Sequence, residues 1–436
     1  MPDIIRKQLD INFDFLSNYS NDGHFYSNGN SRLESANING NISSSFSRYV
    51  NTRKKISNFR GHLSFRENYI SRNNKQSSTD NNSTTIDNES KLSQQNSLYL
   101  DWSNKWYFSK LFFLNYDFSG SISYIFSQDK TKNQAENFNQ KRKDFSFQIS
   151  TRLGVGYGRI ESVRDACQAL YIANALSKKG VLSRSLSDDE LFELSQLIST
   201  VTNKRFLDAR LHLTEEITTL DSFFEENDLL EENGVAYFTT LYDMWQYGNL
   251  FSRNSGYEIS FIVRPYYSHR NLRYSPVIRD IIYNSNQHLI GLSYSYEKPY
   301  KLKWQHSLST GVSGGIISFS EQNRPTENDY KNKTTFNSFS AIAMYSFGYY
   351  PNTRTNIRIT TRQEISKNVY IDEGHSTYFH SILSANVYYY FSPNLRLAGD
   401  CNLIFSPSRP KENDFDYSHI NTFSSSFNLH LSYSIF

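Results

Sequence analysis

Apolar and polar residues alternate along most of this 436-residue chain. The first clear example is Leu9 to Leu16, where Leu9, Ile11, Phe13 and Phe15 fall on one face and acidic and amide residues fall on the other. A period of two predicts a β-strand with one apolar and one polar face. Repeating the test predicts about fourteen strands, six before residue 159 and eight after residue 248, with twelve to sixteen as alternatives.

Residues 159–248 break the alternation, because their apolar residues are spaced three or four apart and predict helices. Ser162 is placed to cap a first helix whose stripe is Asp165, Ala166, Leu170, Ala173 and Leu176. Ser187 and Glu190 have the spacing of a capping box, which predicts the start of a second helix. The third and fourth predicted helices run from about Phe206 to Glu226 and from about Phe238 to Gly248.

These helices divide the chain into a first strand region (1–158), a helical module (159–248) and a second strand region (249–436). The later part of the module is acidic, through Glu215, Glu216, Asp221, Glu225, Glu226, Asp228, Glu231 and Glu232. Such a run is either a solvated face or a docking surface for a basic partner.

The predicted connections between strands alternate in length. Long polar connections follow the odd-numbered strands, such as residues 71–96 and 128–143, and short turns follow most even-numbered strands. An up-and-down meander with short turns at one end is typical of bacterial outer-membrane β-barrels. Because the helical module follows strand six, parity places it at the short-turn end, which faces the periplasm in such a barrel.

The composition fits strands with two different faces. Hydrophobic residues make up 38% of the chain, yet Tyr and Phe number 32 each, and the mean hydropathy is −0.62. No apolar run is long enough for a transmembrane helix. A net charge of +3 is too small to indicate nucleic-acid binding. Cys167 and Cys401 have no metal-ligand spacing, and no cofactor is predicted; Gly154–Gly158 is interpreted as a bend into the module.

Aromatic residues crowd the predicted short-turn ends. Tyr and Trp favour the membrane interface, where an apolar ring meets a polar tip. The alternative is that they are core residues of a soluble β protein. The predicted interface residues are Trp102, Trp106, Tyr300, Trp304, Tyr349, Tyr350, Tyr389 and Phe391.

The last residues alternate as well, with Leu431, Tyr433 and a final Phe436 on one face. With the strand pattern, this ending resembles Gram-negative outer-membrane β-barrel proteins, and the Asn- and Tyr-rich style with a helical insertion resembles barrels of the Bacteroidetes type. The resemblance implies an all-β transmembrane up-and-down antiparallel β-barrel in the bacterial outer membrane. It implies outer-membrane lipid and the barrel assembly machinery as partners. Residues 1–7 lack a signal-peptide core, so we expect either that the sequence is truncated or that the interpretation as an exported protein is wrong.

The polar faces of the strands would line the lumen of such a barrel. Their excess of arginine favours small polar or anionic solutes; alternatively, the charges form ion pairs that only stabilise the barrel. The lumen candidates are Arg60, His62, Arg66, Arg152, Glu258, Arg264, Arg358, Arg362, Arg396 and Asp400.

A catalytic group is harder to find. His375 lies near Asp372 and Glu373, and His419 lies near Asp414, but nothing fixes a nucleophile beside either histidine. We therefore predict a protein that is not an enzyme: a passive channel or transport component, whose helical module binds a periplasmic partner or gates the lumen. The alternatives are a structural or surface-interaction barrel with a plugged lumen and, less favoured, an outer-membrane hydrolase.

Overall fold

A computed structural model describes residues 3–433, apart from 27–28, 79–82, 133–136, 205–212, 248–252, 277–278, 325–329, 353, 371–373, 392–394 and 410–419. Most of the described chain is β-strand. The strands are β1 (Ile4–Tyr26), β2 (Gly29–Thr52), β3 (Lys55–Ser78), β4 (Ser83–Tyr107), β5 (Phe112–Lys132), β6 (Asn137–Ser162), β7 (Asn254–Ser275), β8 (Arg279–Tyr300), β9 (Trp304–Arg324), β10 (Tyr330–Tyr349), β11 (Thr355–Tyr370), β12 (His375–Tyr390), β13 (Leu395–Arg409) and β14 (Ile420–Tyr433).

All fourteen strands form one antiparallel sheet in sequence order. Each strand pairs with its neighbours in the chain, as β3 does with β4 through Leu63 and Leu98. In the described residues, β1 and β14 pair with one neighbour each. The predicted up-and-down antiparallel β-barrel fold, with about fourteen strands and a helical insertion, is confirmed. No helix among the described residues has the length and apolar character needed to cross a membrane.

The sheet curls so that one face is concave. Lys105 on β4 donates to the carboxylate of Glu258 on β7 at 2.5 Å, although β5 and β6 lie between them in the sheet. A direct bond between such distant strands requires a strongly curved surface. We call the face that carries these two side chains the inner face.

The strands are longer than predicted, and the predicted long connections are wrong, so most connections are short at both ends of the sheet. We use the term short-turn end for the end that carries the β2–β3, β4–β5, β8–β9 and β10–β11 connections and the helical module. Residues 71–96 belong to β3 and β4 except for four between them, and most of 128–143 lies in β5 and β6. The strands reach 26 residues, whereas a membrane requires roughly 9–11. Far from the short turns both faces are polar, so the period of two disappears although the backbone ladder continues.

Serine hydroxyl groups on facing strands pair with each other along this ladder. Ser20 lies 2.8 Å from Ser35, and Ser64 lies 2.7 Å from Ser97, in each case between directly paired residues. Cross-strand hydroxyl pairs of this kind stabilise a sheet without apolar contact. Polar, asparagine- and serine-rich sequence therefore continues the strands here.

The helical module holds α1 (Arg164–Lys178), α2 (Asp188–Asn203), α3 (Leu213–Glu226) and α4 (Val235–Tyr247). The predicted capping box of α2 is confirmed: Glu190 N–H donates to Ser187 Oγ, and Ser187 N–H donates to the Glu190 carboxylate. The predicted Ser162 cap is wrong, because α1 starts after Val163 with no side-chain cap.

The helices enclose a hydrophobic core of their own. The residues buried on α1 are Asp165, Gln168, Ala169, Ile172 and Leu176, so the predicted stripe was rotated and Leu170 is exposed. On the other helices, the buried core residues include Leu194, Ile198, Leu220, Phe224, Leu241 and Trp245. The predicted start of the third helix, Phe206, lies outside the described residues. Asp165 and Leu176 of the predicted α1 stripe are buried, whereas Gln168, Ala169 and Ile172 were missed.

Candidate functional site: the inner face and the module at the short-turn end

The strand pairing assigns every lumen candidate to one face. Directly opposite residues share a face, and Asp117 pairs with Arg152, as Met344 pairs with Arg362. Starting from Glu258, these pairs and the alternation along each strand place all the candidates on the inner face. There they form a polar wall. They are Arg60, His62, Arg66, Arg152, Glu258, Arg264, Arg358, Arg362, Arg396 and Asp400.

Only some of these candidates form ion pairs. Arg362 contacts Glu364 at 2.8 Å, and Arg152 contacts Asp117 at 3.5 Å. Within the described residues, no carboxylate lies within 4.0 Å of Arg60, Arg66 or Arg264. These three arginines therefore lack a close carboxylate partner among the described residues.

The remaining candidates bind neutral groups. Arg358 donates to the Tyr350 hydroxyl at 3.0 Å, and Arg396 donates to Ser432 Oγ at 2.8 Å. Asp400 accepts from Asn428 Nδ2 at 2.9 Å. These polar contacts join neighbouring strands of the wall.

The opposite face carries the apolar stripe and most of the predicted interface aromatics. Trp106, Tyr300 and Phe391 are exposed there, and the Trp304 and Tyr349 rings stack at 4.1 Å. The other members on this outer face are Trp102 and Tyr389. Leu431 and Tyr433 lie on it too, while Phe436 is outside the described residues.

Tyr350 is a correction to the predicted interface set. Its side chain is buried, and its ring lies under the Arg253 guanidinium at 4.8 Å. Successive strand residues point to opposite faces, so Tyr349 and Tyr350 could not both face the membrane. The second tyrosine instead packs at the inner side of the β10–β11 connection.

Two arginines join the module to the short-turn end. Arg159, near the end of β6, donates to the carbonyl oxygens of Thr52 and Arg53 at 2.8 Å each and covers the Tyr107 ring at 4.5 Å. It thereby reaches the β2–β3 turn, four strands away from β6. Charged donors on backbone carbonyls are among the stronger hydrogen bonds.

Arg253 makes the matching contact on the other side, just before β7. It donates to the carbonyl oxygens of Leu302 at 2.7 Å and Trp304 at 2.8 Å, in the β8–β9 connection. It is buried, and Val163 N–H donates to its backbone oxygen at 2.8 Å. Arg159 and Arg253 therefore fix the two connections to the module to the β2–β3 and β8–β9 turns.

The helices themselves also contact the ends of the strands. Asp165 of α1 accepts from Arg6 of β1 and from Ser199 of α2, at 2.5 Å each. Asn203 of α2 accepts a hydrogen bond from the Ile5 N–H at 3.0 Å and donates one to the Asp3 backbone oxygen at 3.1 Å. The module is thus attached to β1, the first strand of the sheet.

Two further contacts reach the far side of the same end. The Tyr171 hydroxyl of α1 donates to the Tyr350 oxygen at 2.9 Å and the Leu302 oxygen at 3.1 Å. Burial raises the pKa of Tyr171 to about 12, so this hydroxyl remains a donor at neutral pH. Arg354, after β10, contacts Asp243 of α4 at 2.5 Å. Contacts from β1 to β11 show that the module lies across the short-turn end.

A chamber of about 810 Å³ lies between the module and the inner face. Its lining includes residues of β1–β4 and β6–β10, with Arg164 and Thr202 of the module at the boundary. Its lining carries more cations than carboxylates: Arg6, Lys7, Arg60, Lys105 and Arg164 against Glu258 and Glu297. Lys105 contacts Glu258, and Arg6 contacts Asp165 behind the lining. The module therefore forms one wall of the chamber.

A glycine pair allows the chain to leave the sheet for the module. Gly158 has φ +105° and Gly256 has φ +126°. A Cβ on Gly158 would lie 2.2 Å from the Tyr257 oxygen, and one on Gly256 would lie 2.0 Å from the Arg159 oxygen. Glycine is required at both positions, which agrees with the predicted bend, although β6 continues to Ser162.

Comparison with known proteins identifies no family. No family model matches the chain, and no curated protein matches it. Among solved structures it is similar to one described as a "bacterial polysaccharide outer membrane secretin", at 8% sequence identity and a TM-score of 0.22, with 92% of this chain and 97% of that chain covered. Similarity at this level transfers no function.

Several residues that attach the module were missed in the sequence. Arg159, Arg253, Tyr171 and Asn203 belong to no motif, and their partners are backbone atoms of distant turns. The acidic run also proved partly structural, because Glu216 accepts from the buried Trp245 indole. The predicted neighbours of His375, Asp372 and Glu373, lie outside the described residues, as do His419 and Asp414.

Proposed function

We propose that this protein is an integral outer-membrane β-barrel that acts as a transport component for small polar or anionic solutes, with the helical module gating its periplasmic mouth. The observation that supports this most directly is the position of the module. It is attached from β1 to the β10–β11 connection, across the short-turn end, and forms one wall of the chamber. Solutes leaving the lumen at that end would have to pass the module.

Single-channel recording in a planar bilayer tests this proposal, after a heat-modifiability gel has shown that the refolded chain is a barrel. Asp243→Cys with Arg354→Cys allows a bismaleimide to tether α4 to the β10–β11 connection. The variant carries Cys401→Ser, whereas Cys167 stays because burial raises the pKa of its thiol and keeps it unreactive. We expect stepwise conductance that the tether suppresses.

Arg253→Gln should act in the opposite direction. It removes the charged donor from the Leu302 and Trp304 oxygens, so the module should detach more often and the open probability should rise. Current that neither change affects would contradict gating and leave a passive channel. No current in any variant would favour a structural, plugged barrel over transport.

A second role of the module, binding of a periplasmic protein, is favoured by an open groove between α1 and α4. This groove has a volume of about 830 Å³ and contains Lys178, Lys179, Phe238 and Tyr242. Both aromatic rings are exposed.

The hydrolase alternative stays a prediction, which an ester and peptide hydrolysis screen of wild type against His375→Ala and His419→Ala would test.

A further inference from the structure

The inner face of β6 and β7 has an unusual arrangement of arginines. Arg142 and Arg270 share one carboxylate, Asp144: the Arg142 contact is 3.0 Å, and the Arg270 contacts are 3.0 and 2.7 Å. We call these two arginines the distal pair, because they lie far from the module. One carboxylate cannot neutralise two guanidinium groups, so the distal pair retains positive charge.

The side chains of the distal pair are also accessible. Asp144 is almost fully buried, with 4% of its side chain exposed, whereas Arg142 and Arg270 keep 40% and 46% exposed. Each guanidinium carries five N–H donors, more than Asp144 can accept. Arg270 of the distal pair also lines a cavity of about 430 Å³, together with Tyr283 and Gln148.

A second arginine pair, the proximal pair, lies nearer the module. Arg152 and Arg264 lie between the Ser150–Tyr266 and Leu153–Val263 pairs of β6 and β7, so the register places two positive charges side by side on the inner face. Asp117 contacts Arg152 at a loose 3.5 Å, and no described carboxylate lies within 4.0 Å of Arg264. This pair too has one carboxylate for two positive charges.

The wall between the two pairs is polar and without charge. Gln148 pairs with Ser268, and Ser150 pairs with Tyr266, all on the inner face. Arg264 and Arg270 are six residues apart on one strand, a spacing of about 20 Å. Two anion-binding positions are thus joined by hydroxyl and amide groups that can bind a hydroxylated ligand between them.

We propose that this wall is a binding site for a short acidic oligosaccharide, whose acid groups occupy both arginine pairs while its hydroxyls bind the residues between them. Arginine pairs bind carboxylates through paired N–H donors. The serine, glutamine and tyrosine side chains match sugar hydroxyls better than they match an apolar ligand. The inference rests on the proposed lumen and names the class of solute that this lumen would take.

Calorimetric titration of the detergent-refolded full chain with hexagalacturonate tests the proposal. Monomeric galacturonate, a neutral maltohexaose and a polyphosphate serve as comparison ligands. Because a bridging ligand binds its second position at high effective concentration, the hexamer should bind at least about 100-fold more tightly than the monomer. Maltohexaose should not bind, and polyphosphate should bind more weakly than the hexamer.

Arg142→Gln tests the distal pair, and Arg264→Gln tests the proximal pair. In each variant the other arginine of the pair keeps its contact with aspartate. Each change should weaken hexamer binding about tenfold, the loss of one charge-assisted hydrogen bond. Lys143→Gln is the matched control, because Lys143 follows Arg142 in β6 and lies on the outer face. Heat-modifiability must remain normal in all three variants.

Equal losses in Lys143→Gln and Arg142→Gln would overturn the proposal, because the effect would then be general charge. Polyphosphate binding as tight as the hexamer, or monomer binding as tight as the hexamer, would also overturn it. The result is independent of transport: hexamer binding without conductance would refute the proposed channel alone, whereas conductance without hexamer binding would refute this site alone.

Discussion

The sheet and the helical module use apolar residues in opposite ways. In the module, Leu194 and Trp245 are buried at 0% and 1% exposure in a core of four helices. On the sheet, Phe13 and Phe427 are 73% and 72% exposed on the outer face. The module buries its apolar side chains in its own centre, whereas the sheet leaves its apolar side chains exposed on the outer face.

The two regions also differ in how they use charge. The module places Asp165 and Glu216 inside, each fixed by hydrogen bonds, and so attaches its helices to one another and to β1. On the inner face of the sheet, by contrast, Arg60, Arg66 and Arg264 have no described carboxylate within 4.0 Å. Charge thus stabilises a structure in one region and is left accessible in the other.

The largest expected effect separates the two regions by removing core volume from the module. Trp245→Ala removes a buried ring and its hydrogen bond to Glu216, at a cost of roughly 3–5 kcal/mol. Helical ellipticity should be lost at lower urea while the sheet keeps its heat-modifiability. The control is Trp106→Ala on the outer face, which should leave the helical transition unchanged. A single shared transition in Trp245→Ala would contradict two independent regions.

A smaller effect is expected at the contact between the two regions. Tyr171→Phe removes the hydroxyl that donates to the Leu302 and Tyr350 oxygens and should weaken docking of the module by about 0.5–1.5 kcal/mol. Hydrogen exchange should increase in α1 and the β8–β9 connection and stay unchanged at Leu220. Tyr242→Phe, an exposed tyrosine of α4, is the control. Faster exchange throughout the module would show that Tyr171 stabilises the core instead.

The smallest expected effect is a loss of module stability at acidic pH. It concerns Glu190, which lies in the module and makes no contact with the sheet in the described hydrogen bonds. Hydrogen bonds from Arg184, and then from Ser187, lower its pKa to about 2, against about 4.3 in an unfolded chain. Because the folded pKa is the lower one, its contribution is complete above about pH 4.3 and is lost as the pH falls towards 2. Urea unfolding of the module between pH 5 and pH 2 measures this loss.

Glu190→Gln should flatten that pH dependence, whereas Glu193→Gln on the same helix should keep it. The sheet, followed by heat-modifiability over the same range, serves as the internal reference. An equally steep loss of module stability in Glu190→Gln would assign the acid sensitivity to another group.

Prediction succeeded where one physical signal acted alone. Alternation in stretches such as β1 and β7 predicted the strand number and both faces, because apolar residues occupy one face of each strand and polar residues occupy the other. The capping box at Ser187 was read correctly because it is local. The α1 stripe was only partly right: Asp165 and Leu176 are buried as predicted, whereas Gln168 was missed because it is buried through a bond to the distant Trp245 oxygen, which no helical period reveals.

The sequence by itself determined the number and order of the strands, the position of the helical module and the sharing of one face by the charged residues. These depend on local periodicity and on parity, which need no knowledge of distant contacts. Only the tertiary structure decided how far the strands extend, because a polar ladder has no hydrophobic period. Only the tertiary structure showed that Arg159 and Arg253 attach the module to distant turns, because curvature of the sheet brings those turns within reach.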